Sequence, residues 1–184
     1  MRATDYPYCQ SPFTVLAHRG GAGMAVNKGI ENTLAAFGHA VEVGCTYLET
    51  DVHATSDGVL VAFHDPILDR VTESGGVIAA MPWHKVKQAK VGGEPIPTLD
   101  EIFDAFPEAF INIDIKHDGA TVPLVDVLSR HRAWSRVCVG SFSSKRIQTF
   151  RRLVQGRTAT AVGPVGVGWA VIGPHSMQMA QSHG

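Results

Sequence analysis

The sequence lacks the features that mark membrane-spanning, secreted and nucleic-acid-binding proteins. It contains no run of roughly 18 apolar residues, so we predict no membrane-spanning helix. Its first residues, MRATDYPYCQSPF, lack the apolar segment of a secretory signal peptide. The formal net charge of −1 gives no reason to expect a nucleic acid or an anionic membrane surface as a partner.

Cysteines are few, and their spacing excludes two further classes of protein. Cys9, Cys45 and Cys138 are odd in number and far apart, which fits neither a disulfide framework nor a cysteine metal site. We therefore expect a reducing compartment, with the cytoplasm as the default. The chain also contains neither GxGxxG nor GK[ST], so its glycines do not predict a nucleotide site.

Strand and helix patterns alternate along most of the chain, which predicts βαβ units around a parallel sheet. Residues 14–18 form a short apolar run typical of a buried strand, and a helix is predicted after Asn32 or Thr33, either of which can cap it. Another helix begins after Thr98, which forms a capping box with Glu101. The predicted apolar positions of the first helix are Leu34, Phe37 and Val41.

The strand predicted at residues 110–116 favours a barrel over an open sheet. Its isoleucines alternate with polar residues, which are Asn112, Asp114 and Lys116. A strand in an open doubly wound sheet is normally apolar on both faces. In a (β/α) barrel, by contrast, an apolar outer face packs against helices and polar residues lie at the inner carboxyl end. We therefore predict an α/β fold of the TIM-barrel type.

Two carboxylates lie two positions apart in the predicted strand YLETDVHA. Glu49 and Asp51 should point to the same side of this strand. Without partners they would repel each other and resist burial, so a cation is the expected compensation. A solvated edge face is the alternative, but the flanking Leu48 and Val52 favour a central strand. His53 continues the same side and is interpreted as a polar lining residue.

Further ionisable residues fall at or near the ends of predicted strands. They are His18, Arg19, His64, Asp114 and Lys116. Taken singly, these residues have structural alternatives. A histidine at a strand end is more often structural than catalytic, and Asp114 and Lys116 could form an exposed pair. Taken together, they should converge, because the carboxyl ends of barrel strands meet at the mouth where active sites lie.

The order of short motifs resembles that of the glycerophosphodiester phosphodiesterases. Along residues 15–162 these motifs are AHRG, ENT, LETDV, DGVLVAFHD, LDRVTESGG, IPTLDE and NIDIK. The resemblance is specific because the motifs form an ordered series. It implies a TIM-type barrel with a short insertion after the second strand, here at about residues 66–95.

The resemblance also implies a set of metal ligands. Glu49, Asp51 and Asp114 match the family's ligands, and an all-carboxylate set selects a hard divalent cation, Mg²⁺ or Ca²⁺, over zinc. Asp114 stands where the family usually has Glu, so either the strand lies closer to the metal or a water bridges the gap. Glu31 resembles a loop glutamate that the family places near the metal.

The remaining roles implied by the resemblance fall to four residues. His18 and His64 match the family's general acid–base pair, a task for which imidazole is suited. Arg19 matches its phosphate-binding arginine, whose fork fits two phosphate oxygens. Lys116 would add positive charge where the pentavalent phosphorus gains negative charge.

The implied function is metal-dependent hydrolysis of a small-molecule glycerophosphodiester to glycerol 3-phosphate and an alcohol. A lysophospholipase D or sphingomyelinase D-like phosphodiesterase is the alternative with similar chemistry, and a bulkier, apolar cleft would favour it. A non-catalytic fragment that retains the motifs is the alternative from another class.

Charged residues are missing from the end of the sequence. Between Thr158 and Gly184 there is no Asp, Glu, Lys or Arg, although the outer helices of a barrel need charged solvent faces. We therefore predict a partial barrel over residues 1–162, with about five of eight strands, and an uncharged glycine-rich tail over residues 163–184. Open sheet edges invite pairing with other chains, so self-association is expected.

Overall fold

The computed structural model describes residues 2–11 and 14–161 of the 184-residue chain. The predicted tail at residues 163–184 lies outside these described residues. The strands are β1 (Leu16–Ala17), β2 (Tyr47–Ala54), β3 (Leu60–Ala62), β4 (Lys90–Val91), β5 (Glu94–Pro95), β6 (Phe110–Ile115), β7 (Val137–Gly140) and β8 (Ala159–Thr160). The α-helices are α1 (Leu34–Glu42), α2 (Trp83–Val86), α3 (Leu99–Ala105), α4 (Thr121–Arg130) and α5 (Ser144–Val154).

Five strands form a parallel sheet whose spatial order follows the chain: β1, β2, β6, β7 and β8. At least one helix lies in the chain between each two neighbouring strands of this parallel sheet. This order is that of consecutive units of a (β/α) barrel. Within the described residues the sheet remains open, with β1 and β8 at its edges. The predicted α/β fold with about five strands of a TIM-type barrel is therefore confirmed.

A second, smaller core lies beside the sheet. After β2 the chain turns back as β3, which pairs antiparallel with the end of β2. The segment that follows contains α2 and the short antiparallel pair of β4 and β5. Its buried apolar side chains form a cluster of their own, made of Val61, Phe63, Leu68, Ile78, Val86, Ala89, Val91 and Ile96. This segment corresponds to the insertion expected at about residues 66–95.

The main core lies between the sheet and its helices. The isoleucines of β6 are all fully buried there, as their alternation predicted. Helix α1 differs from the prediction, because Leu34 and Val41 are exposed and the buried residues are Ala36, Phe37 and Ala40. Ala36 lies where the turn at Gly20 approaches the helix, since a Cβ atom on Gly20 would be only 3.1 Å from Ala36 Cβ. Among the described residues, no helix has the length and apolar character needed to cross a membrane.

Candidate active site

The carboxyl ends of the parallel strands line a cleft with a volume of about 730 Å³. The side chains predicted as metal ligands, as the acid–base pair and as phosphate-binding residues all line this cleft, whereas Glu31 and His53 do not. Those that line the cleft are His18, Arg19, Glu49, Asp51, His64, Asp114 and Lys116. The rest of the lining consists of Leu16, Asn112, Gly140, Ser141, Phe142 and Ala161.

A tight turn after β1 places His18 and Arg19 at the cleft. Arg19 has a left-handed φ of 50°, and Gly20 follows with a φ of 75°. A Cβ atom on Gly20 would lie only 3.0 Å from the backbone nitrogen of Phe37, so this position needs glycine. The turn directs the backbone N–H of Arg19 to Glu49 Oε2, at a distance of 2.8 Å.

Asn27 holds this turn in place, a role that no pattern in the sequence indicated. Its side chain is fully buried, and its Nδ2 donates to the carbonyl oxygens of Gly20 (2.9 Å) and Ala36 (3.2 Å). Its Oδ1 lies 2.6 Å from His39 Nδ1. Asn27 thereby joins the turn to α1.

The three carboxylates lie on two neighbouring strands. Glu49 and Asp51 are two apart on β2, and Asp114 of β6 is directly opposite Asp51 in the strand register. All three are buried. Burial, followed by the nearby charge of Asp51, raises the pKa of Glu49 to about 7. Asn32 lies beside them and donates from Nδ2 to Asp51 Oδ2 at 3.2 Å.

The side chain of Asn32 is thus engaged at the site, and the residue that caps α1 is Thr33, whose side chain accepts from the backbone N–H of Ala36.

Two cationic side chains of the chain itself compensate these carboxylates. Lys116 Nζ lies 2.9 Å from Asp51 Oδ1 and 2.6 Å from Asp114 Oδ2. Although burial opposes the effect, the hydrogen bonds to Asp114 and Asp51 raise the pKa of Lys116. Arg19 Nε lies 3.4 Å from Asp51 Oδ2. The expected compensation of the carboxylate pair is thus partly supplied by lysine and arginine.

The donor chemistry of the three carboxylates fits a hard divalent cation. Asp114 Oδ1 supports this fit, because it is buried and has no hydrogen-bond partner. In the arrangement found, however, Lys116 Nζ lies between Asp51 and Asp114. Over residues 2–11 and 14–161, no three His, Cys, Asp or Glu side chains are grouped closely enough to hold a metal ion.

His64, which also lines the cleft, is held by its neighbours. Its Nδ1 lies 2.7 Å from Asp65 Oδ1, and its carbonyl oxygen lies 3.1 Å from His53 Nε2. A carbonyl oxygen can only accept, so the His53 ring donates to it from Nε2; burial lowers the pKa of His53. His53 was expected to line the cleft, but it is buried beneath His64 instead.

Arg70 is another residue whose role the sequence did not reveal. It belongs to the inserted segment and contacts both Asp65 and Glu31. Glu31 in turn contacts Arg19. The only sequence signal was the position of Arg70 within the motif LDRVTESGG, which does not indicate a partner 39 residues away.

Comparison with known proteins identifies relatives of the chain. Residues 18–162 match the glycerophosphoryl diester phosphodiesterase family. A probable glycerophosphodiester phosphodiesterase 2 from Mycobacterium tuberculosis is 39% identical over 149 residues, which cover 80% of this chain and 55% of that protein. A human lysophospholipase D is 38% identical over 115 residues, covering 55% of this chain and 35% of that protein.

Solved structures show the same fold. A phosphodiesterase from Oleispira antarctica, solved in complex with the product sn-glycerol-3-phosphate, has a TM-score of 0.73 and 28% sequence identity. The match covers 84% of this chain and 66% of that one. The chain thus spans only part of the length of the relatives it matches.

Proposed function

This chain belongs to the glycerophosphoryl diester phosphodiesterase family, and on that premise we propose that it hydrolyses glycerophosphodiesters to glycerol 3-phosphate and an alcohol. One observation carries the proposal. Among the described residues, two buried side-chain polar atoms have no hydrogen-bond partner, and both belong to residues that line the cleft: the donor Arg19 Nε and the acceptor Asp114 Oδ1. A buried donor without a partner is costly, and a phosphate oxygen would satisfy it. A buried carboxylate oxygen would be satisfied by a cation.

We propose that Glu49, Asp51 and Asp114 hold Mg²⁺ or Ca²⁺. When bound, such a cation supplies charge that polarises a phosphoryl oxygen. Arg19 binds the phosphate through its guanidinium group. Lys116 keeps a positive charge at the same end of the cleft, where negative charge develops on the phosphoryl group.

His18 and His64 are proposed to move the protons. As a water oxygen bonds to phosphorus, the P–O bond to the alcohol breaks; one imidazole takes a proton from the water and the other gives one to the leaving alcohol. Both rings line the cleft. The ionised Asp65 can only accept a hydrogen bond, so the neutral ring of His64 carries its proton on Nδ1.

A lysophospholipase D or sphingomyelinase D-like activity is the second candidate, and the apolar part of the cleft favours it. Phe142 lies at the cleft with 81% of its surface exposed, and Leu16 is 39% exposed. Such side chains would suit an acyl chain. The similarity to a human lysophospholipase D over 115 residues supports the same alternative.

Turnover assays with and without divalent metal separate the candidate functions. The purified chain is incubated with glycerophosphocholine and with lysophosphatidylcholine, each with Mg²⁺, with Ca²⁺ and after chelation. We expect metal-dependent release of glycerol 3-phosphate and choline from the first substrate. Turnover of the lysophospholipid alone would favour the second candidate. Turnover of neither substrate would favour a non-catalytic fragment.

Two broader properties are proposed as well. Self-association is supported by β1 and β8, each of which pairs with one neighbour only within the described residues. Light scattering should then give a mass above the 19.7 kDa of one chain, and a monomeric mass would contradict the proposal.

A cytoplasmic location is supported by Cys9, Cys45 and Cys138, which are all free thiols.

A further inference from the structure

Arg70 makes contacts that differ from those of an ordinary surface arginine. It lies in the inserted segment, outside the strands of the sheet, and its side chain is 45% exposed. Its Nε donates to Asp65 Oδ2, and its Nη2 donates to Glu31 Oε1. A third contact joins Nη1 to Glu31 Oε2 at 3.4 Å. Arg70 thus bridges two carboxylates that are far apart in the sequence.

Each of these carboxylates contacts a different side chain that lines the cleft. Asp65 Oδ1 lies 2.7 Å from His64 Nδ1, and Glu31 Oε1 lies 3.2 Å from Arg19 Nη1. A continuous series of contacts therefore runs from His64 through Asp65, Arg70 and Glu31 to Arg19. Arg70 is the only member of this series that comes from the body of the inserted segment.

The charges along the series alternate, and Arg70 is the cation between two anions. Without it, Asp65 and Glu31 would repel each other. Although burial opposes the effect, hydrogen bonds from Arg70 and His64 lower the pKa of Asp65. Asp65 therefore stays ionised and accepts the Nδ1 proton of His64, which leaves Nε2 unprotonated in the neutral ring. The rigid guanidinium fork suits two-sided contact, whereas a lysine ammonium is a point charge.

We propose that Arg70 is a positioning residue that fixes His64, through Asp65, and Arg19, through Glu31, in one arrangement. The proposal rests on the proposed function, because it assigns Arg70 a role in that site. Arg70 does not line the cleft, so it acts through its neighbours. The inserted segment is thereby tied both to one proton-transferring residue, His64, and to the phosphate-binding residue, Arg19.

Exposed ion pairs usually contribute little to the stability of a protein, so the effect of removing Arg70 must be compared with that of removing a similar ion pair elsewhere. Arg130 provides one, because its Nη2 donates to both carboxylate oxygens of Asp100, at 2.9 and 3.0 Å. Its side chain is 57% exposed, and neither residue of this pair lines the cleft. Arg130→Ala removes a similar ion pair at a distant place.

The test combines two measurements on Arg70→Ala, Arg70→Lys and Arg130→Ala. Nitrogen-15 NMR, at a pH where His64 is neutral, reports which ring nitrogen carries the proton. We expect one tautomer, protonated at Nδ1, in the wild type and in Arg130→Ala, and a mixture in Arg70→Ala. In steady-state kinetics, Arg70→Ala should lower kcat by roughly 10–100-fold and raise KM. Arg70→Lys should recover only part of this loss.

Two results would overturn the proposal. One is an unchanged His64 tautomer in Arg70→Ala; the other is a kcat no lower than that of Arg130→Ala. Should Arg70→Ala fail to fold, Arg70→Lys and Asp65→Asn are judged by the same two criteria. The NMR measurement requires no turnover, so an inactive wild-type protein would contradict the proposed function while the tautomer still tests the role of Arg70.

Discussion

Lys116 Nζ lies 2.6 Å from Asp114 Oδ2, two residues before it in the chain. Asp114 is on β6, and Lys116 follows the strand directly, so the alternation of the strand brings both side chains to the cleft. The same amine lies 2.9 Å from Asp51 on β2. One lysine therefore links the carboxyl ends of two neighbouring strands and partly balances their charge.

Replacing this lysine by a neutral side chain of similar length should strongly impair the protein. In Lys116→Met, Asp51 and Asp114 lose their shared cation, and the developing charge on the phosphoryl group loses a stabilising neighbour. We expect kcat to fall by roughly 10²–10³-fold. Lys145→Met, on the exposed surface of α5, is the control and should keep wild-type kcat. Equal rates in both variants would contradict the role of Lys116.

Divalent cations should stabilise the folded protein by binding to the carboxylates. Adding Mg²⁺ or Ca²⁺ to chelated protein should raise the midpoint of thermal unfolding, because a ligand that binds only the folded state stabilises it. Asp51→Asn should abolish this shift. Asp114→Glu, which keeps the carboxylate on a side chain one methylene longer, should keep or increase it. A shift that survives in Asp51→Asn would place the cation elsewhere.

The two histidines should both be needed for turnover. His18→Ala and His64→Ala should each lose roughly 10²–10⁴-fold in rate, the usual contribution of a general acid or base. A substrate with a very acidic leaving group needs no proton from the enzyme, so it should rescue only the variant that lacks the general acid. Rescue of both variants, or full activity of either, would refute the acid–base pair.

Asn27 should matter for stability although it does not line the cleft. Asn27→Ala leaves the buried carbonyl oxygens of Gly20 and Ala36 without their donor. We expect the free energy of unfolding to fall by about 2 kcal/mol. Chemical denaturation of Asn27→Ala beside Gln148→Ala, an exposed amide on α5, measures the difference. Equal stabilities would show that the turn does not depend on this side chain.

The sequence predicted the features that depend on local pattern. The alternation along β6 indicated which side chains face the helices, and the capping box of Thr98 and Glu101 is present as expected. For α1, the spacing of three and four residues correctly predicted the burial of Phe37, but it also selected Leu34 and Val41, which are exposed. The close approach of Gly20 to Ala36 favours small residues at these two positions, and it arises only in the folded chain.

The supporting contacts of the candidate site could not be predicted for a related reason. Asn32 contacts Asp51 across 19 residues of sequence, and Arg70 contacts Glu31 across 39. No local period connects such positions. Glu49, Asp51 and His53 occupy alternate positions of β2, which suggested that the His53 side chain also faces the cleft. Its ring instead packs beneath His64, a position set by the return of the chain through β3.

Phosphorus NMR of glycerophosphocholine incubated with the chain and Mg²⁺ tests the proposed hydrolysis most directly. With wild-type protein, the diester signal should disappear as the monoester signal of glycerol 3-phosphate grows. The double variant His18→Ala/His64→Ala should leave the diester intact. Formation of phosphocholine instead of glycerol 3-phosphate, or equal hydrolysis by the double variant, would contradict the account.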